Sequence, residues 1–72
     1  MLKITILIPF FNEEGNIVRQ LEDIIENINR INDCKFDILL IDDGSTDNSS
    51  EKIIQLFNNF PNINYQLIKH QK

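Results

Sequence analysis

Two kinds of apolar pattern alternate along the chain. Ile4-Thr5-Ile6-Leu7-Ile8 is a short, nearly unbroken β-branched run, the pattern of a strand covered on both faces. Pro9 follows, and its missing N–H predicts the end of that strand's ladder. Ile17, Leu21, Ile24, Ile25, Ile28 and Ile31 then recur at helical spacing, while Arg19, Gln20, Glu22, Asp23, Glu26 and Asn27 fill the opposite side. Asn12, Glu13 and Glu14 supply the start signal of this helix, with Gly15 in its first turn and Asn16 as a rival cap. After the connection Asn32-Asp33-Cys34-Lys35, the run Phe36-Asp37-Ile38-Leu39-Leu40-Ile41 predicts a second buried strand. It leads into Asp42-Asp43-Gly44-Ser45-Thr46-Asp47, a cluster of turn and cap residues. A second helix follows, capped by Asp47 or by Asn48, the latter forming a capping box with Glu51. Ile53, Ile54, Phe57 and Phe60 provide its inner face, and Asn58, Asn59, Pro61 and Asn62 break it. Ile63 to Ile68 reads as a third strand with Ile63, Tyr65 and Leu67 on one face.

Strand, helix, strand, helix, strand predicts an α/β fold: a three-stranded parallel sheet joined by two right-handed crossover helices. The 72 residues suffice for one small domain or part of one. A chain of that size buries only about 60% of the surface it exposes when unfolded, so its stability is marginal. Apolar residues at 42% and charged residues at 25% are ordinary globular usage, which excludes a disordered or collagen-like chain. The formal charge of −4 comes without any cluster of Lys or Arg, which argues against a nucleic-acid surface. Cys34 is the single cysteine, so an intrachain disulfide is excluded and a reduced thiol in a reducing, cytoplasmic compartment is expected. Met1–Phe10 is apolar, but Thr5 interrupts it and no small-residue cleavage site follows Pro9, unlike a secretory signal. No apolar stretch approaches the ~20 residues of a membrane span.

In open parallel sheets, ligands bind beyond the carboxyl ends of the strands. Two polar clusters fall there: Pro9-Phe10-Phe11-Asn12-Glu13-Glu14 and Asp42-Asp43-Gly44-Ser45-Thr46-Asp47. Neighbouring strands would bring their ends to about 5 Å from each other, so both loops would border one crevice. Phe11 offers a face on which a base ring can stack. A carboxylate beside it can accept the imino N–H of a pyrimidine in a charge-assisted hydrogen bond. Taken singly, Asp-Asp-Gly is ordinary turn chemistry and Asn12-Glu13 an ordinary cap. Their pairing at two strand ends of one β-α-β unit carries the signal.

Ile8-Pro9-Phe10-Phe11-Asn12-Glu13-Glu14 and Ile41-Asp42-Asp43-Gly44-Ser45-Thr46-Asp47 closely resemble the two amino-terminal signatures of the family 2 glycosyltransferases, inverting enzymes with a GT-A type, Rossmann-like fold. Asn12-Glu13-Glu14 followed by Asn16-Ile17 is most similar to the polyprenyl-phosphate branch, which includes dolichol-phosphate mannosyltransferases. The resemblance covers nearly the whole chain. It implies that residues 1–72 are the nucleotide-binding amino-terminal portion of such a domain, binding a UDP- or GDP-sugar. It implies nucleoside contacts by Pro9, Phe11, Glu13, Asp42 and Asp43, with Gly44 and Ser45 shaping the turn. Asp47 is expected to cap its helix, and Lys69 and His70 fall where family members approach the nucleotide. In family members the acidic motif that holds Mg²⁺ or Mn²⁺ on the donor diphosphate, and the base that activates the acceptor, come later in sequence. Asp42 and Asp43 are therefore not read as a metal site, and this chain alone is not expected to transfer sugar. Full-length relatives are often membrane-associated, so the chain is expected in the cytoplasm and a full-length form at the cytoplasmic face of a membrane.

Two other classes are compatible with parts of this pattern. One is a stand-alone nucleotide-binding module, or one completed by a partner chain. The other is a signalling receiver, which carries an acidic pair after its first strand and a phosphate-accepting Asp after its third. Here the pair follows the second strand and the later Asp is missing. In the family the first strand is internal, so a bare apolar edge at Ile4–Ile8 predicts self-association.

Overall fold

The chain folds in the predicted order, as a computed structural model describing residues 2–70 shows; Met1, Gln71 and Lys72 lie outside the described residues. Strand β1 spans Leu2–Phe10, helix α1 Ile17–Asn29, strand β2 Cys34–Asp42, helix α2 Ser49–Phe57 and strand β3 Asn64–Lys69. All strand pairs are parallel and the sheet order is β1-β2-β3. Ile8 lies beside Leu40 and Leu40 beside Leu67, so the strands are in step and their carboxyl ends align.

The strand order decides which faces are covered. Right-handed crossovers between consecutive neighbours place both helices on the same side of the sheet. One core results: Phe10, Ile17, Leu21, Ile25, Ile38, Leu40, Ile53, Leu56 and Phe57 are buried together, with Ile8, Tyr65 and Leu67 packed against them. The rings of Phe57 and Tyr65 stack at 4.1 Å between centroids, joining α2 to β3. The other face carries Leu7, Pro9, Leu39, Ile41 and Ile68, alternating with the core positions. Nothing among the described residues layers it, and Leu7 is 59% and Ile68 48% exposed. Within the described residues the first strand is therefore covered on one face alone, where its β-branched run suits cover on both. A β-branched run marks a strand, but strand order and crossover hand determine its cover.

Several boundaries and faces also differ from the sequence reading. Helix α1 starts at Ile17, with Asn16 in the cap position, because residues 13–16 form a tight turn. The Glu13 carbonyl accepts the amides of Asn16 (2.9 Å) and Ile17 (2.8 Å) there. Ile31 lies beyond the end of α1 and is 45% exposed. Cys34 is the first residue of β2, a free thiol. On α2 the inner face is Ile53, Leu56 and Phe57, while Ile54 is 44% exposed. That phase follows from a helix starting at Ser49, since positions three and four apart share a face. The ion pairs Arg30–Glu26 and Lys3–Asp37 lie at the surface, where such pairs contribute little.

Candidate functional site

The loops after β1 and β2 meet at the carboxyl edge of the sheet, because the ladder continues past the ends of the strands. The Asp43 amide donates to the Phe10 carbonyl at 2.9 Å, and the His70 amide to the Asp42 carbonyl at 2.7 Å. All three strand ends are thus held side by side. Side chains cross-link the same region. The Asn12 amide donates to Ser45 Oγ (2.9 Å), the Glu13 amide to Ser49 Oγ (3.0 Å) and the Glu14 amide to Asp47 Oδ2 (3.1 Å). In return, the Thr46 amide donates to Asn12 Oδ1 at 2.8 Å.

The two aspartates divide by the period of the strand. Asp42 continues the alternation of Ile38 and Leu40, points to the helix side and is only 4% exposed. Its Oδ1 accepts the Ser45 amide and its Oδ2 the Ser50 hydroxyl, both at 2.7 Å. Burial pushes the Asp42 carboxyl up. The Ser45 amide and hydroxyl, the Ser50 hydroxyl and the charge of Lys69 outweigh this, so it titrates below the usual aspartate range. Asp43, one residue on, is half-exposed, and its Oδ1 lies 3.2 Å from His70 Nδ1. Gly44 takes φ +84°, a left-handed conformation that turns the chain toward α2. A Cβ there would meet only the His70 carbonyl, at 4.0 Å, so glycine is required by backbone angle and not by space.

Phe11 is 53% exposed, between Phe10, whose ring is buried in the core, and Asn12. Pro9 is exposed on the uncovered face of the sheet, and Glu13 is half-buried at the turn into α1. The structure therefore ties the chain around Phe11 to the chain around Gly44, sets His70, just past the end of β3, beside Asp43, and directs Asp42 inward.

Asp47 supports the start of α2 from one residue before the cap position, Asn48: its Oδ1 accepts the Ser49 amide at 3.0 Å and the Ser49 hydroxyl. These bonds, the Ser49 hydroxyl first, hold the Asp47 carboxyl below its usual range. The capping box of Asn48 with Glu51 does not form, since the Asn48 side chain makes no cap bond and the Asp47 carboxylate has taken that role. Ser49 and Ser50, both buried, were not singled out by the sequence, where they resemble an ordinary start of a helix. Asn12 read as a helix cap is instead a left-handed loop residue, φ +49°, four residues before the cap position of α1.

Among the described residues, no group of three or more His, Cys, Asp or Glu side chains is placed to hold a metal ion. Among them too, no helix is long and apolar enough to cross a membrane.

Comparison with known proteins agrees with this architecture. The model of the family described as Glycosyl transferase family 2 matches residues 5–71. An uncharacterized protein of Methanocaldococcus jannaschii is 39% identical over 66 residues, covering 92% of this chain and 25% of its own length. A dolichyl-phosphate beta-glucosyltransferase of Saccharomyces cerevisiae is 30% identical over 63 residues, 88% of this chain and 19% of its own. An undecaprenyl-phosphate 4-deoxy-4-formamido-L-arabinose transferase of Proteus mirabilis is 32% identical over 56 residues, 78% of this chain and 17% of its own. The chain thus spans a quarter or less of the length of these relatives. No solved structure gives a significant match. With both signature loops in place at the carboxyl edge of a parallel β-α-β-α-β sheet, the amino-terminal arrangement of a GT-A fold, the chain belongs to glycosyl transferase family 2.

Proposed function

We propose that this chain binds the nucleoside of a nucleotide-diphosphate sugar, as the amino-terminal part of a glycosyltransferase whose acceptor is a polyprenyl phosphate. The observation that carries the donor reading is the joining of the two signature loops, Asp43 to Phe10 and Asn12 to Ser45, around the exposed ring of Phe11. A base stacks on Phe11, and the half-exposed Asp43 carboxylate accepts a ring N–H. Pro9 and Glu13 border the same loop, and Asp42 acts from below by holding the turn in shape. The acceptor reading rests on the names of the yeast and Proteus relatives, both of which carry a polyprenyl phosphate. Any divalent cation on the donor diphosphate would be held outside these residues, as the resemblance implies, and the binding described here needs none.

Isothermal titration with uridine and guanosine diphosphates tests the reading. Phe11→Ala and Asp43→Ala are each expected to weaken binding about tenfold or more, from the loss of a stacking face and of a charge-assisted bond. Both side chains are substantially exposed, so the fold should survive. A folded wild-type chain that ignores both nucleotides would defeat the proposal and the simpler binding-module reading together.

The edge of β1 bears on the behaviour of the isolated chain. Leu2 and Leu7 are 63% and 59% exposed on a strand that, among the described residues, pairs on one side only. Such an edge pairs with a second copy. Sedimentation should show a concentration-dependent dimer or larger species that Leu7→Lys disperses. A monomer at every concentration speaks against it.

A further inference from the structure

We propose that Asn12 is a positioning residue that locks the two signature loops into one rigid unit and so fixes Phe11 relative to Asp43; the inference deepens the nucleoside-binding reading and rests on it. The two loops lie more than thirty residues apart in sequence, and Asn12 joins them in both directions. Its amide donates to Ser45 Oγ at 2.9 Å, and its Oδ1 accepts the Thr46 amide at 2.8 Å, with the Thr46 hydroxyl at 3.5 Å. Asn12 makes this reciprocal pair from a left-handed backbone, φ +49°, a conformation that asparagine tolerates better than most residues. Phe11 then sits between two ties to the opposite loop, Phe10 to Asp43 on one side and Asn12 to Ser45 on the other. The segment Asp43-Gly44-Ser45 is bracketed by the same two bonds. Neither loop can shift without breaking a bond to the other. A site whose two contacts are already aligned binds without the entropy cost of ordering them.

The alternatives separate by chemistry at position 12. Asn12→Gly keeps the left-handed backbone and the amide donor but removes the side-chain acceptor. Asn12→Asp keeps an acceptor for the Thr46 amide and still tolerates the conformation. Two readouts apply to the 72-residue chain: titration with uridine and guanosine diphosphates, and hydrogen exchange of the Thr46 amide followed by NMR. Asn12→Gly should weaken nucleotide binding about tenfold, the loss of roughly one hydrogen bond's alignment. It should also speed Thr46 exchange, while amides of β2 exchange as in the wild type. Asn12→Asp should restore both values. A merely structural role would lower overall stability and quicken β2 exchange alongside Thr46. Unchanged binding in Asn12→Gly overturns the proposal, and so does unchanged Thr46 exchange. Should the wild type bind neither nucleotide, the nucleoside reading fails by itself. The Thr46 amide then decides the lock separately: protection lost in Asn12→Gly and regained in Asn12→Asp supports it, and any other pattern refutes it.

Discussion

Replacing Leu40 with alanine is expected to remove about 2–5 kcal/mol of stability and leave much of the chain unfolded. Leu40 lies on the central strand with no exposed surface, flanked in register by Ile8 and Leu67 and covered by the two helices. It therefore touches most layers of the single core, and the cavity left behind cannot be filled by one neighbour moving. A chain of 72 residues at ordinary stability per residue has about 4–11 kcal/mol in total. A sheet packed on one face belongs at the low end of that range. The adjacent Leu39 provides the control, since it lies on the uncovered face. Leu39 is half-buried between its strand neighbours, so Leu39→Ala should cost clearly less than Leu40→Ala, about 1 kcal/mol. Urea denaturation followed by helical circular dichroism compares them, and equal midpoint shifts would contradict the one-sided core.

Asp42→Ala should cost about 3 kcal/mol or more, although it removes a charge from an acidic protein. The buried Ser50 hydroxyl and the part-buried Ser45 amide would both lose their acceptor, and each stranded donor costs about 1–3 kcal/mol where water cannot replace it. Asp42→Asn should be milder. Its carbonyl oxygen can accept the Ser45 amide, while its NH₂ can donate to the Ser50 hydroxyl, which is able to reverse its role. The same group shapes the pH response. The folded carboxyl lies below its unfolded value, so its contribution is complete above the unfolded titration near pH 4 and is lost as pH falls through the folded value. Asp47, lowered through Ser49, adds in the same direction. The urea midpoint should hold from neutral pH to about pH 5 and fall below about pH 4, less steeply in Asp42→Asn. A flat profile down to pH 3, or an Asp42→Ala variant as stable as the wild type, would remove Asp42 from the framework of the turn.

Which parts of this were legible beforehand follows from the range of the forces involved. Element order depends on local periodicity, and all five elements could be read from it. The core-facing side of the third strand segment, Tyr65 and Leu67 in β3 with Ile63 just before it, was visible for the same reason. Cover on the second face of β1 is not decided by Ile4–Ile8, whose sequence serves a singly or a doubly covered strand, whereas strand order sets which face these two helices take. The inward turn of Asp42 was available in principle, since Ile38, Leu40 and Asp42 share a parity and Asp43 breaks it. The tie between Asn12 and Ser45 was not available. It depends on a backbone angle at one asparagine and on a partner more than thirty residues away, and neither leaves a local pattern.

The sheet has its two long-range connections at one end and its signature loops at the other. Residues 30–33 and 58–63 join helix ends to the amino ends of β2 and β3. Chain lengthened or shortened there alters neither the ladder nor the bonds from Asn12, Asp42 and Asp47. One residue inserted between Phe10 and Asn12 or between Asp43 and Thr46 would instead displace the Asn12 and Thr46 amides from their acceptors across the gap. Insertions and deletions among relatives should therefore accumulate at the amino edge, while the opposite edge keeps a fixed residue count even where its side chains vary.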